Sequence, residues 1–240
     1  RFHAAEVVLT LPPNQLRKLD GLLSLAPALD QYLSNAVVDI PAIKTHFSYS
    51  NAWWSSMSID QGEARTDQEM RQCLYMGSDD HRGGSEETSD SGPAMLLASY
   101  TDSDASDFWR SFEGADADPD DVLGPDDTTL RCGKAHRLLL MDQLNHLHGR
   151  DLPMPVWVSS CDWVRQPSGV ATHSWRAGIN STRELPLIRH PQVDLPLHLC
   201  GEAFSQEQGW VNGALRSAEA VLQSQFGLER PKWCPSDAPI

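Results

Sequence analysis

The residues best suited to chemistry lie near the end of the chain, in the stretch CGEAFSQEQGWVNGAL at residues 200–215. A short apolar strand is predicted to end just before Gly201, which lets another group approach the backbone closely. Glu202 then places a carboxylate at the carboxyl end of that strand. A helix is predicted to start near Gly209 or Trp210, where free backbone N–H groups favour an electron-rich or anionic partner. Ligands of open α/β sheets bind beyond the carboxyl ends of strands, so the stretch predicts a dinucleotide site.

The elements that must position these residues come from both ends of the chain. Residues 4–13, AAEVVLTLPP, form a β-branched apolar run ended by two prolines, a pattern typical of a strand buried on both faces. Residues 195–200, LPLHLC, predict a compact buried strand, and residues 209–226 predict a helix that ends at Gly227. A strand buried on both faces needs neighbours on both sides, so we expect them to lie downstream or on another polypeptide.

The middle of the chain contains more strand patterns than helix patterns. Strands are predicted within residues 42–50, 70–77, 94–101 and 154–163. Residues 135–149 predict a helix, because leucines recur on one face and Gly149 stops it. Asn14 is predicted to cap a short helix further upstream. We therefore expect a mixed-sheet domain inserted between two pieces of another domain, with the first and last pieces belonging together.

Composition and charge exclude several classes of protein. The 240 residues carry a formal net charge of −14 and a pI near 4.9, which argues against binding to a nucleic-acid backbone. The sequence has no run of about 18 apolar residues and does not open like a signal peptide, so we expect no membrane span and a soluble protein, secreted or cytoplasmic. The five cysteines are far apart and lack metal-ligand spacing, which predicts no metal site and mostly buried free thiols, with one disulfide as the open alternative.

The quoted motifs resemble those of one enzyme family. LHLCGEAFSQEQGWVNGALRSAEAVL resembles the C-terminal flavin-binding signature of the flavin-dependent amine oxidases, and AEVVLTLPP resembles the middle strand of their FAD domain. DQEMRQCLYMG, AMLLASYTDSDASDFW, MDQLNHLHG and CDWVRQPSGVATHSW resemble the substrate domain of the L-amino-acid oxidase branch. The resemblance covers nearly the whole chain in the family's order. Of these motifs, only the C-terminal one at residues 197–222 is specific.

The resemblance implies a mixed α/β fold in which Rossmann-like FAD-binding segments flank a substrate domain with a mixed or antiparallel sheet and helices. We expect an FAD-domain strand in residues 1–20, a substrate-binding domain in residues 21–190, a C-terminal FAD-binding segment in residues 191–230 and a tail in residues 231–240.

The implied cofactor is FAD. Glu202 would accept hydrogen bonds from its ribityl or diphosphate region, and the backbone N–H near Val211 would face the pyrimidine edge of the isoalloxazine. Gly209 and Gly213 would let the helix approach this flat ring. The motif positions implied to bind the cofactor are Gly201, Glu202, Gly209, Trp210, Val211 and Ala214.

The resemblance also implies residues that meet the substrate. Trp210 would lie beside the flavin and wall the substrate cavity, the alternative being ordinary packing at a helix start. Tyr75 aligns with the tyrosine that holds the substrate carboxylate, and its phenol can donate that hydrogen bond. Val170 and Trp175 fall where the branch lines its side-chain pocket, with core packing as the alternative. We interpret His173 as a structural histidine rather than a pocket residue.

Two features depart from the family pattern. Many members carry a lysine near the flavin at a position that falls close to Asp30 or Gln31, and neither residue is lysine. The glycine-rich G-x-G-x-x-G motif that holds the ADP part of FAD is absent from the sequence, and the arginine that usually pairs with the substrate carboxylate would lie upstream. We therefore expect an N-terminal chain of the same precursor, separated by proteolytic maturation, and a hetero-oligomeric enzyme.

The implied activity is oxidation of an L-amino acid by FAD and oxygen to a 2-oxo acid, ammonia and hydrogen peroxide, with Trp210 and Tyr75 at the catalytic centre. The alternatives are a flavin amino-acid monooxygenase, an oxidase of simple amines and, from another class, a non-catalytic acidic interaction subunit. In the last case the acidic stretch at residues 113–127 would be the functional part.

Overall fold

The computed structural model describes residues 3–78, 92–112, 132–166, 169 and 172–230. The chain divides into two compact units, the first formed by Arg1–Ile40 with Pro167–Ile240 and the second by Pro41–Gln166. Helices, a parallel strand pair and antiparallel sheets all occur in the described residues. The predicted mixed α/β fold class is therefore confirmed.

Seven α-helices and nine strands are described. The helices are α1 Pro13–Leu16, α2 Leu22–Leu25, α3 Pro27–Asn35, α4 Ala105–Arg110, α5 Lys134–His148, α6 Ser181–Arg189 and α7 Val211–Phe226. The strands are β1 Val7–Leu9, β2 Val37–Ile40, β3 Ala42–Tyr49, β4 Gly62–Arg65, β5 Gln72–Ser78, β6 Ala94–Asp102, β7 Trp157–Asp162, β8 Thr172–Trp175 and β9 Leu197–Leu199. Short 3-10 helices cover Trp53–Met57, Trp163–Arg165 and Glu202–Phe204. None of the helices in the described ranges is long and apolar enough to cross a membrane.

The first unit contains two separate strand pairs. β1 runs parallel to β9, with Val7 opposite Leu197, and β2 runs antiparallel to β8. The strand at the start of the chain is thus present, and its downstream neighbour is β9. Val7 and Val8 are 41% and 42% exposed among the described residues, whereas all three residues of β9 are buried. Burial of β1 on both faces, by another polypeptide, stays a prediction.

The core of the first unit joins the two ends of the chain. Leu29 and Leu33 of α3 pack in the same apolar cluster as Ile188 of α6 and Phe204. The helix near Asn14 begins two residues earlier than predicted, at Pro13, whose missing N–H and fixed φ suit the first helical position. Asn14 is therefore no cap, and its side-chain amide donates to the carbonyl of Gly169.

The second unit is built on a five-stranded antiparallel sheet in the order β4-β5-β6-β3-β7. The four strands predicted in this part of the chain are confirmed as β3, β5, β6 and β7. α5 is confirmed as well: Leu140 and Leu144 are fully buried in the core of this unit, and Gly149 ends the helix with a positive φ of 64°.

The compact units have other bounds than the segments predicted from sequence. Residues 21–40 and 172–190 lie in the same unit as both ends of the chain, because α3 and α6 bury their apolar faces against β9 and the turn that follows it. Compactness does not decide which segment binds substrate. The assignment of residues 21–190 to a substrate-binding domain therefore stays a prediction.

Candidate functional site

The turn between β9 and α7 presents the candidate site residues of the first unit. Gly201 and Gly209 adopt φ angles of 131° and 87°, a conformation that residues with a side chain rarely take. The intervening chain forms the short 3-10 helix that starts at Glu202. Trp210 occupies the N-cap position of α7 in an extended conformation. Two glycines therefore shape the turn, in agreement with the predicted strand, turn and helix order.

The carboxylate of Glu202 is anchored from two directions by its own chain. Oε1 accepts hydrogen bonds from Thr172 Oγ1 at 3.0 Å, from the His173 backbone N–H at 3.2 Å and from the Gly209 N–H. Oε2 pairs with His173 Nδ1 at 2.5 Å. β8 thus holds the carboxylate from one side, and the residue before the α7 cap holds it from the other.

These contacts keep Glu202 ionised. Burial on its own raises the pKa of the carboxyl group, but hydrogen bonds from His173, Gly209 and Thr172 outweigh burial and hold the pKa below its usual value. Oε1 already has three donors, whereas Oε2 has one. A carboxylate has about four lone-pair sites, so the free capacity of Glu202 to accept a further hydrogen bond lies on Oε2.

His173 connects Glu202 to a second carboxylate. Its ring is 4% exposed, and Nε2 lies 3.6 Å from Asp39 Oδ1 on β2, the strand paired with β8. The interpretation of His173 as a structural histidine agrees with this burial and with its hydrogen bond to Glu202. The sequence contains no local signal for the pairing, because His173 and Glu202 are 29 residues apart.

The start of α7 is open. Trp210 and Val211 are 72% and 74% exposed, and no side chain caps the helix. No hydrogen bond to the Val211 amide occurs among the described residues. Trp210 is therefore not packed against the described residues, and its role beside a flavin stays a prediction. Ala214 lies one turn further along, partly buried.

Close packing explains why residue 213 is a glycine, which differs from the predicted explanation. A Cβ at Gly213 would collide with the Glu207 carbonyl and with Ser205 Oγ, since α7 crosses its own preceding turn at this point. The prediction that Gly213 clears space for a flat ring is therefore replaced by close packing of helix on turn. Gly209 has one neighbour at that position, Thr172 Oγ1 at 3.2 Å.

Tyr75 lies in the second unit, where it is 6% exposed on β5. Its hydroxyl is 3.0 Å from His148 Nε2 and 3.6 Å from Cys73 Sγ, and its ring packs against Trp54. Burial raises the pKa of the phenol and lowers that of His148, so both groups are neutral near pH 7. The predicted contact of Tyr75 with a substrate carboxylate stays a prediction.

The two remaining predicted pocket residues are Val170 and Trp175. Val170 lies outside the described residues. Trp175, at the end of β8, donates from Nε1 to the Ser205 carbonyl at 2.9 Å and packs on the core of the first unit. Trp175 therefore anchors the turn that carries Glu202. Within the described ranges, no three His, Cys, Asp or Glu side chains lie together in a way that would hold a metal ion.

Known proteins share both the sequence pattern and the fold. Residues 1–221 match the family described as flavin containing amine oxidoreductase. Aplysianin-A of Aplysia kurodai is 25% identical over 244 residues, covering 97% of this chain and 41% of that protein. Achacin of Lissachatina fulica is 23% identical over 231 residues, covering 93% of this chain and 41% of that protein. The chain thus spans about two fifths of the length of these relatives.

Solved structures of putrescine oxidase have a similar fold. A triple mutant redesigned in cofactor binding superimposes with a TM-score of 0.65 at 17% identity, over 93% of this chain and 43% of that chain. The wild-type enzyme bound to putrescine gives a TM-score of 0.62 at 16% identity, over 94% of this chain and 43% of that chain. At these identities the likeness shows the fold alone.

Proposed function

The chain belongs to the flavin containing amine oxidoreductases, and from this premise we propose that it is the C-terminal part of an FAD-dependent L-amino-acid oxidase. FAD is the cofactor of the proposed enzyme. The complete enzyme converts an L-amino acid, with oxygen and water, to a 2-oxo acid, ammonia and hydrogen peroxide. The proposal for the substrate follows the resemblance of residues 67–77 and 161–175 to the substrate domain of that branch.

The observation that carries the proposal is the pairing of a fixed carboxylate with an open helix start. Glu202 is held by four hydrogen bonds, while Trp210 beside it projects into solvent and the Val211 amide is free among the described residues. An immobile acceptor, an exposed aromatic face and a free donor suit a ligand with hydroxyl groups, a flat ring and electron-rich ring atoms. The residues present therefore fit FAD.

The charge of Glu202 distinguishes between its two predicted partners in FAD, the ribityl chain and the diphosphate. An ionised carboxylate accepts hydrogen bonds and donates none, so it suits a ribityl hydroxyl. A diphosphate carries negative charge and offers no donor hydrogen, so Glu202 would repel it. We assign Oε2, which has spare acceptor capacity, to the ribityl chain.

The first turn of α7 supplies a positive electrostatic end. Unpaired N–H groups at a helix start carry partial positive charge, and α7 has 16 residues and no acidic residue in its first turn to neutralise that end. The Val211 N–H would donate to the pyrimidine edge of the isoalloxazine and stabilise negative charge there. When bound, FAD supplies the redox chemistry, and this chain orients it.

Trp210 and Tyr75 would act on the substrate side. An exposed indole at the helix start gives the substrate cavity an apolar wall, which excludes water from the reacting atoms. The neutral phenol of Tyr75 can donate to a substrate carboxylate if its hydrogen bond with His148 is exchanged or if His148 acts as the donor. Each role rests on the resemblance and on these side-chain properties.

A further polypeptide is part of the proposal. Val211, Leu215, Leu222 and Phe226 of α7 are 36–74% exposed, and at 100° per residue they fall within one narrow stripe of the helix. Val7 and Val8 are exposed as well. We propose that the N-terminal chain of the same precursor, which carries the glycine-rich FAD motif, covers these apolar residues in an oligomeric enzyme.

The test is a product analysis on the complete protein. Its visible spectrum should have flavin bands, and a panel of L-amino acids should yield equal amounts of ammonia and hydrogen peroxide. Release of carbon dioxide with an amide product would indicate the monooxygenase instead, and turnover of simple amines without amino acids would indicate an amine oxidase. A colourless assembly with no turnover would leave the acidic interaction subunit, whose stretch at residues 113–127 lies outside the described residues.

A further inference from the structure

A cavity of about 280 Å³ lies in the first unit, between the end of α6 and one face of α7. Gly213, Arg216 and Ser217 line it from α7, and their spacing of three and four residues places them on one face. That face is opposite the exposed apolar stripe of Val211 and Leu215, since the two sets differ by about half a turn at 100° per residue. The cavity is therefore separate from the helix face that the proposed function uses.

Two arginines contribute to the walls of this cavity. Arg189, the last residue of α6, is more than half buried, and no described residue hydrogen-bonds to its buried Nε. Buried guanidinium N–H groups are normally paired, because leaving a charged donor without an acceptor is costly. Burial lowers the pKa of Arg189, yet guanidinium stays protonated at neutral pH. The cavity thus contains a buried cation whose Nε has no partner among the described residues.

The two serine hydroxyls that line the cavity are already paired. The Ser205 hydroxyl donates to the Glu202 carbonyl at 2.8 Å, and the Ser217 hydroxyl donates to the Phe204 carbonyl at 2.9 Å. Arg216 forms an ion pair with Glu207, which leaves the remaining N–H groups of its guanidinium for another acceptor. With two guanidinium groups and one carboxylate, the lining carries a net positive charge in a chain whose net charge is −14.

We propose that this cavity binds a phosphate group, held by the guanidinium groups of Arg189 and Arg216. A guanidinium offers a planar fork of N–H donors that matches the oxygens of phosphate, and such charge-assisted hydrogen bonds are about twice as strong as neutral ones. The two serines position the walls and do not donate to the anion. The phosphate is free inorganic phosphate or the end group of a larger phosphate monoester.

Binding is measured on the complete protein by isothermal titration with inorganic phosphate at constant ionic strength, and by the melting temperature in phosphate against chloride. We expect saturable binding of one phosphate per chain and a rise of the melting temperature with phosphate concentration. Arg189→Met keeps the apolar stem and removes the donors, so it should weaken phosphate binding by roughly tenfold to a hundredfold, the range for hydrogen bonds to a charged group. Arg216→Met should weaken it as well, by less.

Arg183→Met is the matched control, because Arg183 lies on the same helix with its side chain 81% exposed and should leave phosphate binding unchanged. Titration with glycerol phosphate separates the sources: tighter binding than inorganic phosphate indicates a monoester, and weaker binding indicates the free ion. If Arg189→Met does not fold, Arg216→Met decides. No saturable binding to the parent, or equal binding by the parent and the folded arginine variants, would overturn the proposal.

Discussion

Two tryptophans, Trp54 in the second unit and Trp210 in the first, have opposite surroundings. Trp54 is fully buried and packs edge-on against Trp53 and Tyr49, with ring centroids 5.4 and 6.2 Å away. Trp210 is 72% exposed at an uncapped helix start. The aromatic side chains around Trp54 are enclosed by the chain itself, whereas the turn around Trp210 presents its aromatic ring outward. Of the two regions, the turn around Trp210 has the form of a binding surface.

Glu202 in the first unit differs in charge from three buried titratable side chains of the second unit. In the second unit, burial lowers the pKa of His136 to about 4 and raises the pKa values of Tyr49 and Tyr75, so all three are neutral at pH 7. In the first unit, the hydrogen bonds to Glu202 keep it ionised. Of these four side chains, the one that keeps its charge is the carboxylate at the candidate ligand site, and a shifted pKa of this kind is typical of functional sites.

The largest expected effect comes from exchanging the tryptophans for alanine. Trp54→Ala removes a fully buried side chain and should lower the free energy of unfolding by about 3–5 kcal/mol. Trp210→Ala should change it by less than about 0.5 kcal/mol, since exposed positions contribute little. Urea denaturation followed by far-UV circular dichroism measures both values.

Activity should reverse this order for the folded variants. Trp210→Ala is expected to lower kcat/KM for the best L-amino acid by about tenfold or more, because the cavity loses its wall against water. Trp210→Phe is the matched control, since it keeps an aromatic wall and should retain most of the activity. Equal activity of the alanine variant and the parent would break the comparison, because the exposed indole would then have no part in the site.

The next effect is the response of the second unit to acid. The unfolded chain protonates His136 near its ordinary pKa of 6.5, whereas the folded protein keeps it neutral down to about 4. The free energy of unfolding therefore decreases as the pH falls from about 6.5 to about 4. For one histidine the decrease reaches about 3 kcal/mol near pH 4. His136→Phe removes the titrating group and keeps a ring against Trp109, while Thr45 retains its hydrogen bond to Ser160.

Urea denaturation at pH 7, 5.5 and 4.5 measures this dependence. The His136→Phe variant should lose less stability between pH 7 and 4.5 than the parent. His146→Gln, on the same helix with an exposed side chain, is the control and should follow the parent. An unchanged pH dependence in His136→Phe would mean that the acid response of this unit comes from elsewhere.

A somewhat smaller effect is expected for Glu202→Gln, which keeps the shape and removes the charge. The amide would leave the donors from His173 and Gly209 poorly matched, and we expect a loss of about 2 kcal/mol in stability and a roughly tenfold weaker affinity for FAD. Because the pKa of Glu202 is lowered on folding, its stabilisation is present above the ordinary glutamate pKa and is lost as the pH falls through the lowered one.

Flavin fluorescence during dialysis against FAD-free buffer measures the affinity. Glu229→Gln makes the same chemical change at an exposed carboxylate and should retain the flavin as the parent does. The difference in stability between the parent and Glu202→Gln should narrow at strongly acidic pH. Full retention of FAD by Glu202→Gln would contradict the proposed contact with the ribityl chain.

The smallest expected effect is that of Tyr75→Phe, which removes the hydroxyl that contacts His148 Nε2 and Cys73 Sγ inside the second unit. It should cost about 1 kcal/mol of stability, since His148 Nε2 loses its partner. If the phenol also holds the substrate carboxylate, KM for L-amino acids should rise by about tenfold. Tyr49→Phe, which loses the contacts of the hydroxyl with Met141 Sδ and with the Trp53 side chain, is the matched control for steady-state kinetics. An unchanged KM would restrict Tyr75 to a structural role.

Local patterns in the sequence predicted the elements well. The periodic leucines and the terminal glycine of α5, and the glycine that ends α7, are local signals, and both helices lie where these signals place them. The turn at Gly201 and Gly209 followed from a motif in one continuous stretch of sequence. The positive φ angle of each glycine gives a physical reason for that motif.

Burial and long-range pairing could not be read from the sequence. β1 has the composition of a doubly buried strand, yet the exposure of its side chains depends on what packs against its faces, which no local pattern encodes. The anchoring of Glu202 by His173 joins residues on different elements. The hydrogen bond between Tyr75 and His148 spans 73 residues and needed the fold to bring the two side chains together.

The parallel pairing of β1 with β9 joins residues that are about 190 positions apart. During synthesis the ribosome releases all of Pro41–Gln166 before Leu197 emerges. The strands of the second unit can therefore pair before β9, the partner of β1, has been released. Closing so long a loop is slow compared with forming local antiparallel pairs. The first unit is therefore expected to be the last part of the chain to fold, and its exposed valines are the residues that a chaperone would meet in the meantime.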